Sequence, residues 1–275
     1  MNELSKRTLT AAVLIPLVVA GVLWAPTAGV ALALALVMLI GAQEWAELAG
    51  IEDCSFHLGF ILAAAAGIAV STWLVFGGRN VVPWFLVGGL WWLWAAQRVL
   101  RSPPVRLRQG PDAAAAISGL VVLVPAWAAL VWMHQLPLGP QLVLSLLVLI
   151  WVADSGAYFV GRRWGSHKLA RTVSPGKTWE GLLGALVGAL VWGGVVAGLL
   201  GSSLAQIAGL LLLSLVTVLM SVVGDLYESL MKRERGVKDS GALLPGHGGV
   251  LDRIDSLTAA APVFALGLHL VGLDQ

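Results

Sequence analysis

LAQIAGLLLLSLVTVLMSVVG, residues 204–224, runs without a break into DLYESLMKRERGVKDSGALLPGHGGVLDRID, residues 225–255, and then into SLTAAAPVFALGLHLVGL, residues 256–273. Each flank is apolar over about the length that a helix needs to cross a bilayer. The segment between them holds 11 of the chain's 32 charged residues. Charge set this close to membrane spans is costly to place, and where it occurs it marks function.

The rest of the chain agrees with a membrane reading. Its 275 residues are 58% hydrophobic and 12% charged, with a mean hydropathy of +0.87, whereas a soluble domain carries roughly a quarter charged residues. An all-α polytopic integral membrane protein is expected. Apolar runs at 8–25, 28–43, 56–76, 81–97, 116–135, 138–159, 181–200, 204–224 and 257–272 predict nine transmembrane helices. The first is read as a retained helix rather than a cleaved signal peptide, because its apolar run is long enough to span. The runs 28–43 and 81–97 are short, which suits tilted or packed helices.

Orientation follows from the basic residues. With nine spans and the N-terminus cytoplasmic, the inside loops carry 16 of the 17 Lys and Arg residues and leave only Arg79 outside. The C-terminus is then outside. Residues 1–135 are expected to be a scaffold of helices one to five, and residues 136–275 to carry helices six to nine with the cytoplasmic-side catalytic loops. Glu44, Glu47, Glu52 and Asp53 read as a solvated acidic loop. Trp91, Trp92 and Trp94 lie mid-segment, where they suit helix packing as well as interfacial anchoring. The single cysteine, Cys54, excludes an intramolecular disulfide framework, and the lack of a separate basic module argues against a nucleic-acid partner.

Within the charged segment, Asp225, Glu228, Ser229 and Lys232 fall at i, i+3, i+4 and i+7 if the helix continues past Gly224, which puts them on one face. A Glu228–Lys232 pair lacing an interfacial helix end is the plain reading of that face. Three glycines surround His247 in GHGG, a backbone able to turn its amides toward phosphate oxygens or simply to turn tightly. Asp225 and Asp252, on two approaching segments, suit a hard cation such as Mg2+, and the Lys and Arg residues between them suit a polyphosphate. That combination points to phosphoryl or nucleotidyl transfer.

Two further features lie upstream. Asp154 sits inside an apolar run and needs a partner, either a polar cavity shared with Asp225 or a hydrogen bond to a neighbouring helix. SPGKT, residues 174–178, lacks the full glycine spacing of a soluble phosphate loop and reads instead as an inside loop with Lys177, Thr178 and Glu180 that caps the following helix.

Ser229-x-x-Lys232-Arg233, then Lys238-Asp239, then Pro245-x-His247-Gly248-Gly249-x-x-Asp252-Arg253-x-Asp255 resembles the signature of the phosphatidate cytidylyltransferases, or CDP-diglyceride synthetases. GDLYES, Asp154-x-x-Ala157-Tyr158 and SPGKTWEG are similar to pieces of the bacterial members. The resemblance implies transfer of CMP from CTP to phosphatidic acid, giving CDP-diacylglycerol and pyrophosphate, with Mg2+ and with a second, monovalent cation left open. It also implies a homodimer in a bacterial cytoplasmic (inner) membrane. Carried onto this chain, it makes Asp225 and Asp252 the leading metal ligands, with Asp239 and Asp255 as second choices. Asp225, Lys232, Asp252 and Asp255 form the catalytic set. Lys232, Arg233, Lys238 and Arg253 hold phosphates, and His247, Gly248 and Gly249 line the triphosphate site. Ser174, Lys177, Thr178, Ser229 and Asp239 complete the substrate contacts.

Other classes fit less well. A transporter would suit Asp154 but not the crowding of charge on one side or the absence of an internal repeat. A CDP-alcohol phosphotransferase needs a DGxxAR-type motif that is absent. A CTP-dependent polyprenol kinase would release CDP instead of pyrophosphate.

Overall fold

A computed structural model describes residues 3–101, 105–243 and 248–274. Among them the chain forms nine helices and one small hairpin. The helices are α1 Glu3–Trp24, α2 Thr27–Leu48, α3 Cys54–Phe76, α4 Val82–Leu100, α5 Ala113–Gln135, α6 Gly139–Trp164, α7 Trp179–Leu199, α8 Leu204–Glu234 and α9 Leu251–Val271. The hairpin pairs β1 Lys168–Ala170 antiparallel with β2 Ser174–Thr178. Every apolar run of the sequence falls, to within one residue at its ends, in one of these helices. Seven, all but α1 and α4, are long and apolar enough to cross a membrane.

The bundle is organised around α5, whose residues from Val122 to Val131 are buried without interruption. It packs against α2, α3, α4 and α9. Such uninterrupted burial suits a helix that is apolar on all faces. Close crossings depend on small residues, as expected where lipid offers apolar groups no incentive to associate. On α6 and α7, a side chain at Gly156 would stand 2.6 Å from the Gly184 carbonyl oxygen, and one at Gly184 would stand 2.6 Å from that of Gly156. Gly224 of α8 likewise lies against α9, where a Cβ would come within 2.5 Å of the Asp255 carbonyl oxygen. That crossing decides where the charged residues meet.

Aromatic packing ties α2, α4 and α8 together. Tyr227 stacks on Trp45 and stands nearly perpendicular to the rings of Trp91 and Trp92. The buried Trp92 donates to the Thr258 carbonyl. Trp91 and Trp92 therefore pack helix to helix, while Trp94 is half exposed.

Three sequence expectations need correction. The α2 helix continues past residue 43 to Leu48, because Met38, Gly41, Trp45 and Leu48 keep a helical spacing of buried residues. Glu44 is consequently buried inside the protein and is no part of a solvated loop. The α9 helix starts at Leu251 rather than near residue 257, so Asp252, Arg253 and Asp255 are helical and not loop residues. Finally, SPGKT is a strand rather than a loop. Its last residue, Thr178, does cap α7, accepting from the Gly181 amide at 3.1 Å.

Candidate active site

The α8 helix runs ten residues beyond Gly224, and its last turns carry Asp225, Glu228, Ser229 and Lys232 on one face as the spacing requires. Because Gly224 lets α9 approach, that face meets Asp252 and Asp255, which are themselves three residues apart on one side of α9. Lys232 is the centre of the contact. Its Nζ donates to Asp252 Oδ1 and lies 3.1 Å from Glu228 Oε1. Both side chains of the Glu228–Lys232 pair are buried, so this is an interior contact and not an interfacial one. Asp255 is within electrostatic reach of Asp225, Lys177 and Lys232.

Asp252 is held from several directions. Its Oδ2 accepts from the Gly249 amide at 2.8 Å and the Ser240 amide at 2.9 Å, and the Ser240 hydroxyl lies 3.1 Å away. Gly248 has φ +80, and a side chain there would come within 2.6 Å of Asp252 Oδ2. Glycine is needed at 248 on both counts. The sequence left these glycines as amides turned toward phosphate or as a tight turn, and in the structure Gly248 and Gly249 lie against Asp252.

The second half of the site comes from the hairpin. Lys177 of β2 reaches Asp225 Oδ2 at 2.9 Å, and Ser229 Oγ lies 3.3 Å from Asp225 Oδ1. Lys177 also lines a cavity of about 370 Å³ together with Asp154, Tyr158, Arg162, Thr178 and Val222. Asp154 thus lines a mostly apolar cavity, and the Lys177 that also lines it is paired with Asp225. Apolar groups such as Leu169, Leu182 and Ala185 form much of the remaining wall. A lysine and an arginine over an apolar wall suit an anion attached to something lipid-like.

The other residues singled out in the sequence occupy different positions. Lys238, Asp239 and Arg253 are exposed beside the cluster, and Lys238 and Arg253 have no ion pair among the described residues. Arg233 donates to the Val237 carbonyl at 3.0 Å. Ser174 stands at the far end of β2 and does not line the cavity. His247, with Pro245, lies outside the described residues. No group of three acidic, His or Cys side chains converges as a preformed metal site among the described residues.

Reading the sequence missed Glu44. Its Oε1 accepts from the Val250 amide at 2.9 Å, and its Oε2 accepts from the Leu251 amide at 2.8 Å and lies 2.9 Å from the Ser240 hydroxyl. It missed Arg235 as well, which donates to the carbonyls of Leu48, Arg108 and Gly110 and so fixes the end of α8 to the loops beside α2 and α5.

Known proteins resemble this chain along nearly its whole length. A family model described as "Cytidylyltransferase family" matches residues 5–271. A Pseudomonas aeruginosa protein named phosphatidate cytidylyltransferase is 42% identical over 269 residues, covering 98% of each chain. One of the same name from Haemophilus influenzae is 37% identical over 282 residues, 95% of this chain and 97% of its own. A third, from Brucella suis, is 45% identical over 130 residues, 47% of each. The residues that gather around Lys232 and Lys177 therefore sit in a chain that belongs to the cytidylyltransferase family.

Proposed function

We propose that this chain is a phosphatidate cytidylyltransferase, which joins CMP from CTP to phosphatidic acid and releases pyrophosphate. The observation that carries the proposal is the 42% identity, over 98% of both chains, to a protein of that name. The geometry supports it independently. A lipid phosphate and a soluble triphosphate must meet at a membrane surface, and a dense charged cluster stands here at the ends of apolar helices.

In the proposed reaction a phosphate oxygen of phosphatidic acid attacks the α-phosphorus of CTP. The bond from that phosphorus to the oxygen bridging to the β-phosphate breaks, and pyrophosphate leaves with the electron pair. The nucleophile is already an anion, so what the protein supplies is placement and relief of charge repulsion between two anions. Lys177 and Arg162 at the cavity suit the lipid phosphate. The exposed Lys238 and Arg253, with Arg233, suit the triphosphate.

The cluster also fits a divalent cation. Asp225, Glu228, Asp252 and Asp255 set four carboxylates against the ammonium groups of Lys177 and Lys232, a formal excess of two negative charges. Both Glu228 oxygens are buried without a hydrogen bond of good geometry, despite the nearby Lys232. Hard oxygen ligands suit Mg2+. Asp225 and Asp252 would hold it, with Asp239 and Asp255 as second choices, and the ion would supply neutralisation of the phosphate charge.

A cytoplasmic active site with the N-terminus inside completes the reading, supported by the 16 of 17 basic residues that nine spans would place inside. Its place would be the cytoplasmic membrane of a bacterium, as its bacterial relatives suggest, and its assembly a homodimer, as the family resemblance implies. The test is pyrophosphate release by the purified protein from CTP, Mg2+ and phosphatidic acid, with an Asp252→Asn variant alongside. Release that needs the lipid and falls at least about 100-fold in the variant is expected, since the amide loses both the charge and an acceptor. No release from folded wild-type protein would overturn the proposal.

A further inference from the structure

We infer that Glu44, from the second helix of the chain, is a positioning residue that sets the first turn of α9 and, through it, Asp252. The inference rests on the cytidylyl transfer proposed above. It begins from a gap in the local structure. The α9 helix starts at Leu251, and its N-cap residue Val250 supplies no capping side chain, although the first amides of any helix lack partners within it. Glu44 fills the gap from about two hundred residues away, taking the Val250 amide on one carboxylate oxygen and the Leu251 amide on the other. Asp252 takes the preceding amide, that of Gly249. Three consecutive amides are thus divided between two carboxylates.

The Ser240 hydroxyl joins the two. It stands 2.9 Å from Glu44 Oε2 and 3.1 Å from Asp252 Oδ2, and its single proton can go to only one of them at a time. The surrounding backbone is shaped to admit the Glu44 carboxylate. A Cβ at Gly241 would come within 2.6 Å of Glu44 Oε1, and one at Gly249 would collide with Glu44 Oε2. Gly41, one turn earlier on α2, lets Leu251 and Ile254 pack against that helix, where a Cβ would meet Leu251 at 3.2 Å.

Glu44 is nearly buried, at 6% exposure, and no lysine or arginine is paired with it among the described residues. An unpaired buried carboxylate is costly, and here amide and hydroxyl donors offset the cost. A glutamate used only to end a helix would not need to share a hydroxyl with a proposed catalytic aspartate. The arrangement makes α2 a rigid stop against which Ser240, Gly241 and the backbone of 249–251 are set, and the angle of Asp252 depends on that stop.

The experiment compares wild type with Glu44→Gln and Glu44→Asp. Gln keeps the size but turns one acceptor into a donor facing an N–H or the Ser240 hydroxyl, while Asp keeps the charge but falls short. Steady-state pyrophosphate release should show kcat about 10- to 100-fold lower for Glu44→Gln, the range typical of residues that orient a functional carboxylate, with KM for phosphatidic acid within about twofold because that substrate is assigned to the Lys177 cavity, which neither Glu44 nor Asp252 lines. Glu44→Asp should fall between. Hydrogen exchange, which needs no activity, should accelerate in Glu44→Gln in peptides covering 248–255 and stay unchanged in α6 and α7. Wild-type exchange at 248–255 overturns the inference whatever the activity. So does acceleration spread evenly over the bundle, which would mark a merely structural role. An inactive wild type with the local exchange effect intact would instead sink the cytidylyl transfer and leave Glu44 as the fastener of this turn.

Discussion

Two lysine–aspartate pairs stand close together in this protein, and they are built differently. Lys232 and Asp252 have side chains 10% and 6% exposed, and each makes further contacts, to Glu228 and to the Ser240 and Gly249 amides. Lys177 and Asp225 are 27% and 34% exposed, and Lys177 borders an open cavity. A buried pair with its remaining contacts filled cannot release either partner without stranding the other charge. A half-exposed pair can exchange its partner for a ligand at little cost. The first pair is therefore the frame of the site, where a cation on Asp252 would sit beside a Lys232 that stays in place, and the second is its movable part.

The sharpest way to break this comparison is Lys232→Met. It leaves Glu228 and Asp252 buried with no ammonium between them, and breaking a buried pair in this way costs about 3–5 kcal/mol. The expected result is a markedly lower midpoint of thermal unfolding in detergent, followed by tryptophan fluorescence. Adding Glu228→Gln to the variant should recover part of the loss, since it removes one of the two stranded charges. A Lys232→Met protein that unfolds at the wild-type temperature would mean that the pair carries no structural load.

How much of this was readable beforehand depends on what kind of force sets each feature. The helices were readable because a lipid environment requires each spanning segment to satisfy its own backbone, so apolar length alone reveals it. The grouping of Asp225, Glu228, Ser229 and Lys232 was readable because helical spacing is local. Glu44 was not, since its partners are Ser240, Val250 and Leu251 and nothing near it in sequence announces them. The available signal was modest: Trp45 and Leu48 continue the buried spacing of Met38 and Gly41, which argues that α2 does not stop at residue 43. The start of α9 was hidden for a similar reason. Three charged residues in its first two turns look like loop until a distant carboxylate is found to cap the helix.

Glycines on the two sides sharpen the contrast at a smaller scale. Gly249→Ala would drive a methyl into Ser240 Oγ and Glu44 Oε2, both held in place by their own hydrogen bonds. Overpacking of this kind costs about 1–3 kcal/mol. Gly176, on the strand that carries Lys177, has nothing within 4 Å of where its Cβ would stand. Gly176→Ala should change stability by no more than about 0.5 kcal/mol. Thermal unfolding of the two variants side by side checks the difference, and equal losses would show that the hairpin is as tightly fitted as the loop.

Lys177→Met tests the movable half and should have the smallest effect on the fold. Removing one partner of a half-exposed ion pair changes stability by about 0.2–1 kcal/mol, and Asp225 retains the nearby Ser229 hydroxyl. Function should respond differently. If Lys177 leaves Asp225 to meet a substrate phosphate, the variant loses a charge-assisted contact to an anion at an apolar-walled site, and pyrophosphate release should fall about 100-fold. Lys177→Arg keeps the charge and should retain more of the rate than Met, since position then matters more than sign. The two readouts separate the alternatives cleanly. Full activity in Lys177→Met would confine the residue to holding Asp225, and a stability loss as large as that of Lys232→Met would make it part of the frame. A stable but slow variant is the one outcome in which the two pairs, so similar in composition, divide the work of holding the site and of receiving the substrate.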